Sequence, residues 1–416
     1  MGNEGINRAK YTVTAVMAGV FLCACSQEEP AQTSPSPPAT QSVPVIEEVR
    51  ETTRIIADPV GYDTGEEMIV YVLSKKEEST FSLVNDEAKD TLFVGELKPT
   101  DTEIDGMRLY IGDMTSFAGE GTFKICTHDV KDGISVSVRE NILEERYQSV
   151  AEKLEKIEAK SEEEDCYRLA VMMLSGDVYD EESVDWAYVK KSIKEKLKKE
   201  QEILEAKEGI NEKNVSERLL ACAILADFYS VYGDIEPDEV NECLEAAVSI
   251  YDRCAQFGES ADPVTLYMAD ASLNRATGKN AYRKGAEHYE HENYTGPYKD
   301  FEFIADMIYL RSRNVADFDR CADMVKNIVN NADDVAQKID RSEFNVVSDI
   351  NETPIDMTLD DLMQCSMADY TLSENAYEQI RRDHIHYLFG RNPQMRDLIE
   401  ENDDIKTLSK LIFVMK

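Results

Sequence analysis

The sequence changes its hydrophobic periodicity once, near residue 130, and this change limits the folds that the chain can adopt. From about Arg54 to Thr127, apolar and polar residues alternate in short runs between turn residues. Five runs are strand candidates: MIVYVLS, TFSLVN, LFVGEL, MRLYIGDM and GTFKICT. A period of two indicates strands, and turn signals at roughly ten-residue spacing favour an antiparallel sandwich over βαβ units. We therefore predict a β-sandwich domain over residues 51–130.

Beyond Val138 the strand pattern ends, and helical periodicity runs almost to the C-terminus. Segments such as SERLLACAILADFYSVYG and FDRCADMVKNIVNNADDVAQKI repeat apolar residues three and four positions apart. Short joints containing Gly, Asn or Asp separate the helices, which favours antiparallel helical hairpins. Residues 138–416 are therefore predicted to form a toroid or a solenoid of paired helices.

The first residues have the layout of a signal peptide. Arg8 and Lys10 precede the apolar stretch YTVTAVMAGVFLCAC, which is too short for an ordinary transmembrane helix. Its end, LCAC, resembles a bacterial lipobox, which implies that residues 1–24 are removed and that Cys25 carries lipid. The alternative is a plain secretory signal with a chance cysteine. Residues 25–50 hold five of the twelve prolines and predict a disordered tether, so we expect a membrane-anchored lipoprotein of the cell envelope, facing the extracytoplasmic side.

The formal charge of −38 bears on the partners of this chain. Such a surface repels phosphate backbones and argues against nucleic-acid binding. Acidic and basic residues are mixed along predicted helices, as in KSIKEKLKKEQEILEAKE, so most of the charge is predicted to be solvated helix surface. No zinc signature is present, and His384 and His386 would point to different sides of a helix. We therefore expect no metal and no cofactor.

Several segments resemble one known family. DPVGYDTGEEMIVYVLS, which begins at Asp58, is similar to the opening of the immunoglobulin-like domain that precedes the catalytic domain in many family 9 glycoside hydrolases, the cellulase-type endoglucanases. EVNECLEAAVSIYDRC and LYMADASLNRATGKNAYRKGAEHY resemble consecutive helices of that family's (α/α)6 barrel. The resemblance covers about 55–127 and 214–393. It implies an immunoglobulin-like β-sandwich followed by an α/α-barrel (a paired-helix toroid), which we expect to be incomplete.

The most specific match is HYLFGRNP, which resembles a late segment of the barrel. Gly390 can take the left-handed conformation that ends a helix. Asn392 is then predicted to cap a new helix, with Pro393 at its first position. In the resembled enzymes this corner leads toward a substrate loop and the catalytic acid. Here the chain ends at Lys416 without those segments, so the corner is predicted to mark the fold.

Neither catalytic motif implied by the resemblance is present. Inverting glycosidases hold a general acid and a general base ~6.5–9.5 Å apart. The family supplies the base from an Asp-Ala-Gly-Asp-Tyr motif and the acid from a Glu beyond a His-His-Arg stretch, and this sequence has neither. The nearest candidates for the base are Asp177 and Asp180 in SGDVYDEES, for which a helix-capping loop is the alternative. We therefore predict that catalysis has been lost.

Sugar binding rests on aromatic side chains, which stack on sugar faces. Trp186 is the only tryptophan and lies on a charged predicted helix. Tyr294 and Tyr298, in EHYEHENYTGPYKDFEF, are the substrate-binding candidates, although tyrosines at such spacing also cap helical cores. The leading interpretation is a non-catalytic surface lipoprotein that binds or presents a β-glucan-type polysaccharide. The alternatives are an active endo-β-glucanase with relocated carboxylates and a structural envelope protein.

Overall fold

The computed structural model of the chain describes residues 52–85, 89–179, 185–232, 237–291, 294–312, 317–339, 343–347, 350 and 353–416. Cys25 and Asp180 lie outside the described residues, as do the predicted signal peptide and tether.

The N-terminal domain is a β-sandwich with eight strands in the described residues. They are β1 (Thr53–Ile56), β2 (Tyr62–Asp63), β3 (Ile69–Ser74), β4 (Thr80–Asn85), β5 (Thr91–Ile104), β6 (Met107–Asp113), β7 (Gly121–Thr127) and β8 (Ile134–Arg139). The strand order is β1-β3-β6-β5-β4-β7-β8-β2, antiparallel except for the pair β2–β8. The first part of β5 pairs with β4 and the rest with β6, so β5 joins the two sheets. The five predicted strands correspond to β3–β7, and β8 carries the sandwich past residue 130.

Strand β3 is buried on both of its faces. Val70 and Val72 point into the sandwich core. Tyr71 and its alternate neighbours on β3 point the other way and share an apolar cluster with Phe344 and Tyr387 of the helical domain. The full burial of this strand follows from its position between two cores.

The helical domain contains twelve α-helices in the described residues. They are α1 (Ile142–Lys156), α2 (Glu162–Val178), α3 (Trp186–Glu205), α4 (Val215–Tyr232), α5 (Pro237–Cys254), α6 (Pro263–Thr277), α7 (Asn280–His288), α8 (Asp300–Leu310), α9 (Phe318–Ile339), α10 (Ile355–Leu372), α11 (Glu378–Leu388) and α12 (Ile405–Val414). None that the structure describes is long and apolar enough to cross a membrane.

The even-numbered helices form the inner layer of an α/α-barrel. Helices α2, α4, α6 and α8 pack in succession, and α12 packs against both α10 and α2. These helices bury side chains on nearly every face, whereas the outer helix α9 buries one stripe formed by Met324, Ile328, Ala332 and Val335. The predicted sandwich and α/α-barrel are confirmed. Where the sequence suggested an incomplete barrel, six inner and six outer helices are present in the described segments.

The Gly-Arg-Asn-Pro corner attaches the barrel to the sandwich. Gly390 has a φ of 127°, and a Cβ atom there would come within 2.9 Å of Pro59 Cδ, so glycine is needed both for the backbone and for the close approach. Arg391 is fully buried and donates to Asp383. His386 of α11 and Arg146 of α1 complete the contact, because both donate to Asp58 of the sandwich. We call these groups the domain interface.

The predicted helix start at Asn392 is wrong. Helix α12 begins at Ile405, where Asp404 caps it by accepting a hydrogen bond from Thr407 N at 2.8 Å. Asn392 instead folds the corner on itself, donating through Nδ2 to the carbonyl oxygens of Tyr387 (2.8 Å) and Arg396 (2.7 Å). An Asn before Pro predicts a cap from local geometry alone, but the tertiary contacts of the corner use the amide in a different way.

Candidate functional site

The inner helices begin at one end of the barrel, which we call the N-terminal face. Lys406, in the first turn of α12, donates to Glu163 of α2 and to Asp300 of α8, each at 2.6 Å. Nearby, Asp262 caps α6, and its backbone N–H donates to Ser216 Oγ of α4 at 2.8 Å. Lys406 thus links the first turns of α2, α8 and α12, and Asp262 links the start of α6 to α4.

Lys406 is a cation that lies between two carboxylates at the N-terminal face. Burial by itself lowers the pKa of Lys406, but the hydrogen bonds with Asp300 and Glu163 outweigh this effect and raise it, so the side chain is a cation. Because each carboxylate oxygen lies 2.6 Å from Nζ, the two oxygens can be no more than twice that distance apart. Inverting glycosidases keep a water molecule between their two carboxyl groups. Here the Lys406 cation lies between these two oxygens, in the place that such a water would need.

Asp177 lies at the opposite end of the barrel, the C-terminal face, where the inner helices end. Its carboxylate pairs with Arg275 at 2.6 Å and with Arg311 at 2.9 Å. Arg275 also donates to Asp227 at 3.1 Å. Burial raises the pKa of Asp227 to about 6, although Arg275 opposes the shift. Arginines at the ends of α6 and α8 also suit the negative ends of these helix dipoles. Asp177 therefore forms structural ion pairs with Arg275 and Arg311 and does not lie at the N-terminal face.

A cavity of about 1040 Å³ lies between α8, α9 and α10. Its lining includes Tyr289, His291, Phe303 and the amides Asn327 and Asn331. A second cavity of about 480 Å³ shares Tyr289 and Glu290 with the first. We call these two cavities together the side groove. Rings for stacking, together with amide and carboxylate groups for hydrogen bonding, are the groups that carbohydrate sites use.

Two stacked and largely buried rings belong to the lining of the side groove. The rings of Tyr267 and Tyr289 are parallel, with centroids 4.5 Å apart. His291 stands edge-on to Tyr289 at 5.1 Å, and its Nε2 lies 2.7 Å from Asp306 Oδ1. Arg320 lies over the Tyr267 ring at 5.4 Å and fixes the segment after α7 by donating to the carbonyl oxygen of Tyr289 at 2.7 Å. The ring stack is therefore held in one arrangement before any ligand binds.

The two predicted sugar-binding tyrosines lie in different surroundings. Tyr294 lines the second cavity and donates a hydrogen bond to Asp262. Tyr298 is half-buried and packs against the core, with its ring 6.3 Å from that of Phe301. Their role in binding stays a prediction. Trp186 packs on Tyr232 at 5.2 Å and is half-buried.

The sequence could not have predicted the ion pairs that Lys406 forms with Glu163 and Asp300 at the N-terminal face. Lys406 occurs in DDIKTLSK, an ordinary capped helix start, and its partners are 106 and 243 residues away.

In the described part of the chain, no group of three or more His, Cys, Asp and Glu side chains is arranged to hold a metal ion. Seven cysteines lie in these segments, and all but Cys321 are buried.

The fold and its interface define a class: an α/α-barrel of the glycoside hydrolase type behind an immunoglobulin-like sandwich. The model of glycosyl hydrolase family 9 matches residues 170–399, and that of the cellulase N-terminal ig-like domain matches residues 50–132. The chain belongs to glycosyl hydrolase family 9. A comparison with curated proteins finds no match.

Three solved structures illustrate the similarity. A metagenome-derived glycoside hydrolase family 9 endoglucanase is 11% identical, with a TM-score of 0.69 over 87% of this chain and 98% of that one. A family 9 protein from Bacteroides ovatus is 12% identical, with a TM-score of 0.66 over the same shares. The enzyme AaCel9A, solved with cellobiose-like isofagomine, is 16% identical, with a TM-score of 0.64 over 83% of each chain. At these identities the likeness concerns the fold alone.

Proposed function

We propose that the protein is a non-catalytic member of its family that binds or presents a β-glucan-type polysaccharide at the cell envelope. The observation that carries the proposal is the Lys406 bridge. At the N-terminal face this cation occupies the space between Glu163 and Asp300, so neither carboxylate is free to protonate a leaving group or to activate water.

Binding is supported by the side groove. Its lining includes Tyr289, Phe303 and Tyr294 beside amides and carboxylates. The related AaCel9A was solved with a cellobiose-like ligand, which favours a β-glucan as the first polymer to test.

The lipid anchor at Cys25 belongs to the same proposal. The LCAC sequence and the proline-rich residues that follow it support an anchored protein whose folded part stands away from the membrane. Replacing Cys25 by Ser should release the protein from the membrane fraction. Recovery of the Cys25→Ser protein in that fraction, in the same amount as wild type, would contradict the anchor.

The function can be tested with two assays on the same soluble β-glucans. Reducing-sugar release should stay at the level of a buffer control, while affinity electrophoresis should show retarded migration. The Tyr289→Ala variant should migrate with less retardation in the gels that contain β-glucan. The control variant Arg396→Met changes an exposed residue that does not line the side groove, and it should be retarded as much as wild type.

Two results would overturn the proposal. Sugar release that disappears in Asp177→Asn, Glu163→Gln or Asp300→Asn would establish an active enzyme with relocated carboxylates. Normal migration on every polymer, by a protein shown to be folded by circular dichroism, would favour the structural envelope role.

A further inference from the structure

A short segment in the connection between α9 and α10 contacts the sandwich. We call this segment, residues 343–347, the strap. Glu343 Oε1 accepts a hydrogen bond from the Thr102 hydroxyl of β5 at 3.0 Å. The ring of Phe344 lies 4.4 Å from that of Tyr71 on β3. The first half of the strap is therefore attached to two strands of the sandwich.

The second half of the strap returns to the barrel. Val346 belongs to the apolar cluster that the barrel shares with the sandwich, whereas Val347 belongs to the barrel core. Both side chains are almost fully buried. The backbone N–H of Val347 donates to Nε2 of His384 on α11 at 3.1 Å. His384 therefore holds the strap at the point where the chain re-enters the barrel.

The hydrogen bonds of His384 require a neutral ring. Nδ1 lies 2.7 Å from the carbonyl oxygen of Ile380, which can only accept, so the network assigns the ring proton to Nδ1. Nε2 must be unprotonated, because it accepts the N–H of Val347. A second proton on Nε2 would point at this donor, and the hydrogen bond would be lost. Protonation of His384 and closure of the strap therefore exclude each other.

The closed strap opposes protonation of His384. The side chain is fully buried, and burial lowers its pKa to about 4. Asp383 favours the protonated ring and Arg391 opposes it, and these two charges are paired with each other. The carboxylate of the strap itself, at Glu343, accepts from Thr102. Within the described residues no carboxylate forms an ion pair with the ring, so an imidazolium there would be a buried and unmatched ion.

We propose that the strap is an acid-released contact between the barrel and the sandwich, closed while His384 is neutral and open when Nε2 takes up a proton. The strap is the side of this contact that can move, because Ile380 belongs to α11 itself, whereas residues 343–347 form neither helix nor strand. Opening exposes the imidazolium to water and separates Phe344 from Tyr71. It also removes a restraint on α9 and α10, two helices that line the side groove. The strap opens whether or not the protein binds a glycan.

Hydrogen exchange of the Val347 amide measures the opening directly. In the open strap, His384 should recover an ordinary pKa of about 6.5, compared with about 4 in the closed one. Acid therefore favours the open strap, and its fraction should rise about twentyfold from about pH 7 to about pH 5. The protection factor of Val347, corrected for the intrinsic exchange rate, should fall by the same factor.

Three variants separate the strap from other effects of acid. In His384→Gln the side-chain oxygen can accept the Val347 N–H without titrating, so the protection factor should change by less than about twofold over this pH range. His128→Gln replaces a histidine that is 87% exposed on the sandwich and should keep the wild-type response. Phe344→Ala removes the aromatic contact with the sandwich and should leave the Val347 amide poorly protected at both pH values.

The amides of α6 distinguish opening of the strap from unfolding of the barrel. If they lose protection in acid together with Val347, the barrel unfolds and the proposal is wrong. It is also wrong if Val347 in wild type stays equally protected, or if His384→Gln keeps the wild-type response.

A second measurement covers the case in which His384→Gln does not fold. Wild type containing isotope-labelled histidine reports the protonation of each ring by NMR. The ring of His384 should gain its proton over the same pH range in which Val347 loses protection. A loss of protection while this ring stays neutral would overturn the proposal.

Discussion

Charged side chains gather in two parts of this molecule, the domain interface and the N-terminal face, and they are arranged differently. At the domain interface, Asp58, Arg391 and His386 are 0–1% exposed and bridge residues far apart in the sequence. At the N-terminal face, Lys406, Glu163 and Asp300 keep 22–31% of their side chains in water. Buried ions must be fully matched, because an unmatched one is costly, whereas half-exposed ions tolerate change. The Gly-Arg-Asn-Pro corner therefore belongs to a buried and matched set of ions, whereas the ions of the N-terminal face are partly exposed.

The largest expected effect is at Arg391. Replacing it by Met leaves Asp383 buried without its partner, which should lower the free energy of unfolding by about 3–5 kcal/mol. Arg396→Met is the matched control, because Arg396 pairs with Glu401 in solvent, and its loss should stay within about 0.5 kcal/mol. Urea unfolding measures both. Equal losses would remove the contrast between buried and exposed ions in this segment.

Gly390 tests the backbone of the same interface. Alanine there would need a φ of 127° and would press against Pro59, so Gly390→Ala should cost about 2 kcal/mol or more. Gly258, beside which an added Cβ meets no atom within 4 Å, provides the control: Gly258→Ala should be nearly neutral. A neutral Gly390→Ala, measured by thermal unfolding, would mean that the corner does not fix the approach of the two domains.

The fold was largely predictable from the sequence, but the ion pairs of Lys406 at the N-terminal face were not. Alternation predicted strands such as β4, where Phe81 and Leu83 are buried in turn, and Gly390 predicted the end of α11. The inner helices could also be recognised, because residues 219–226 of α4 are all buried and the segment is apolar throughout. Lys406 carries no comparable signal, because a lysine in a first helical turn has the same local pattern whether it meets solvent or two distant carboxylates.

An intermediate effect is expected at the N-terminal face itself. Lys406→Met leaves Glu163 and Asp300 close together without the cation, and the loss should be about 1–2 kcal/mol at neutral pH, because water screens the repulsion. Lys199→Met, which removes a more exposed partner of Glu162, should change stability less. We expect no β-glucan hydrolysis in either variant, and its appearance in Lys406→Met would show that the bridge blocks a competent acid–base pair.

The smallest effect is a pH dependence that belongs to the domain interface alone. Burial by itself lowers the pKa of His386, but the hydrogen bonds with Asp58 and Glu66 raise it above its ordinary value, with Nδ1 2.8 Å from Asp58 and Nε2 3.3 Å from Glu66. A raised pKa in the folded state means that this contribution is complete below the unfolded value and is lost as pH rises through the folded one.

Asp58 sets the other limit of the pH range. Burial raises its pKa, but His386 and Arg146 together lower it below the ordinary value, so its contribution is present above the unfolded value and is lost as pH falls through the folded one. The interface should therefore be most stable in mildly acidic solution. As pH rises above about 6.5, wild type should lose stability that the His386→Gln variant does not lose. His128→Gln, at a histidine that is 87% exposed on the sandwich, should keep the wild-type slope. If His386→Gln also keeps it, the interface ions do not depend on the charge of this histidine, and the contrast with the N-terminal face rests on burial alone.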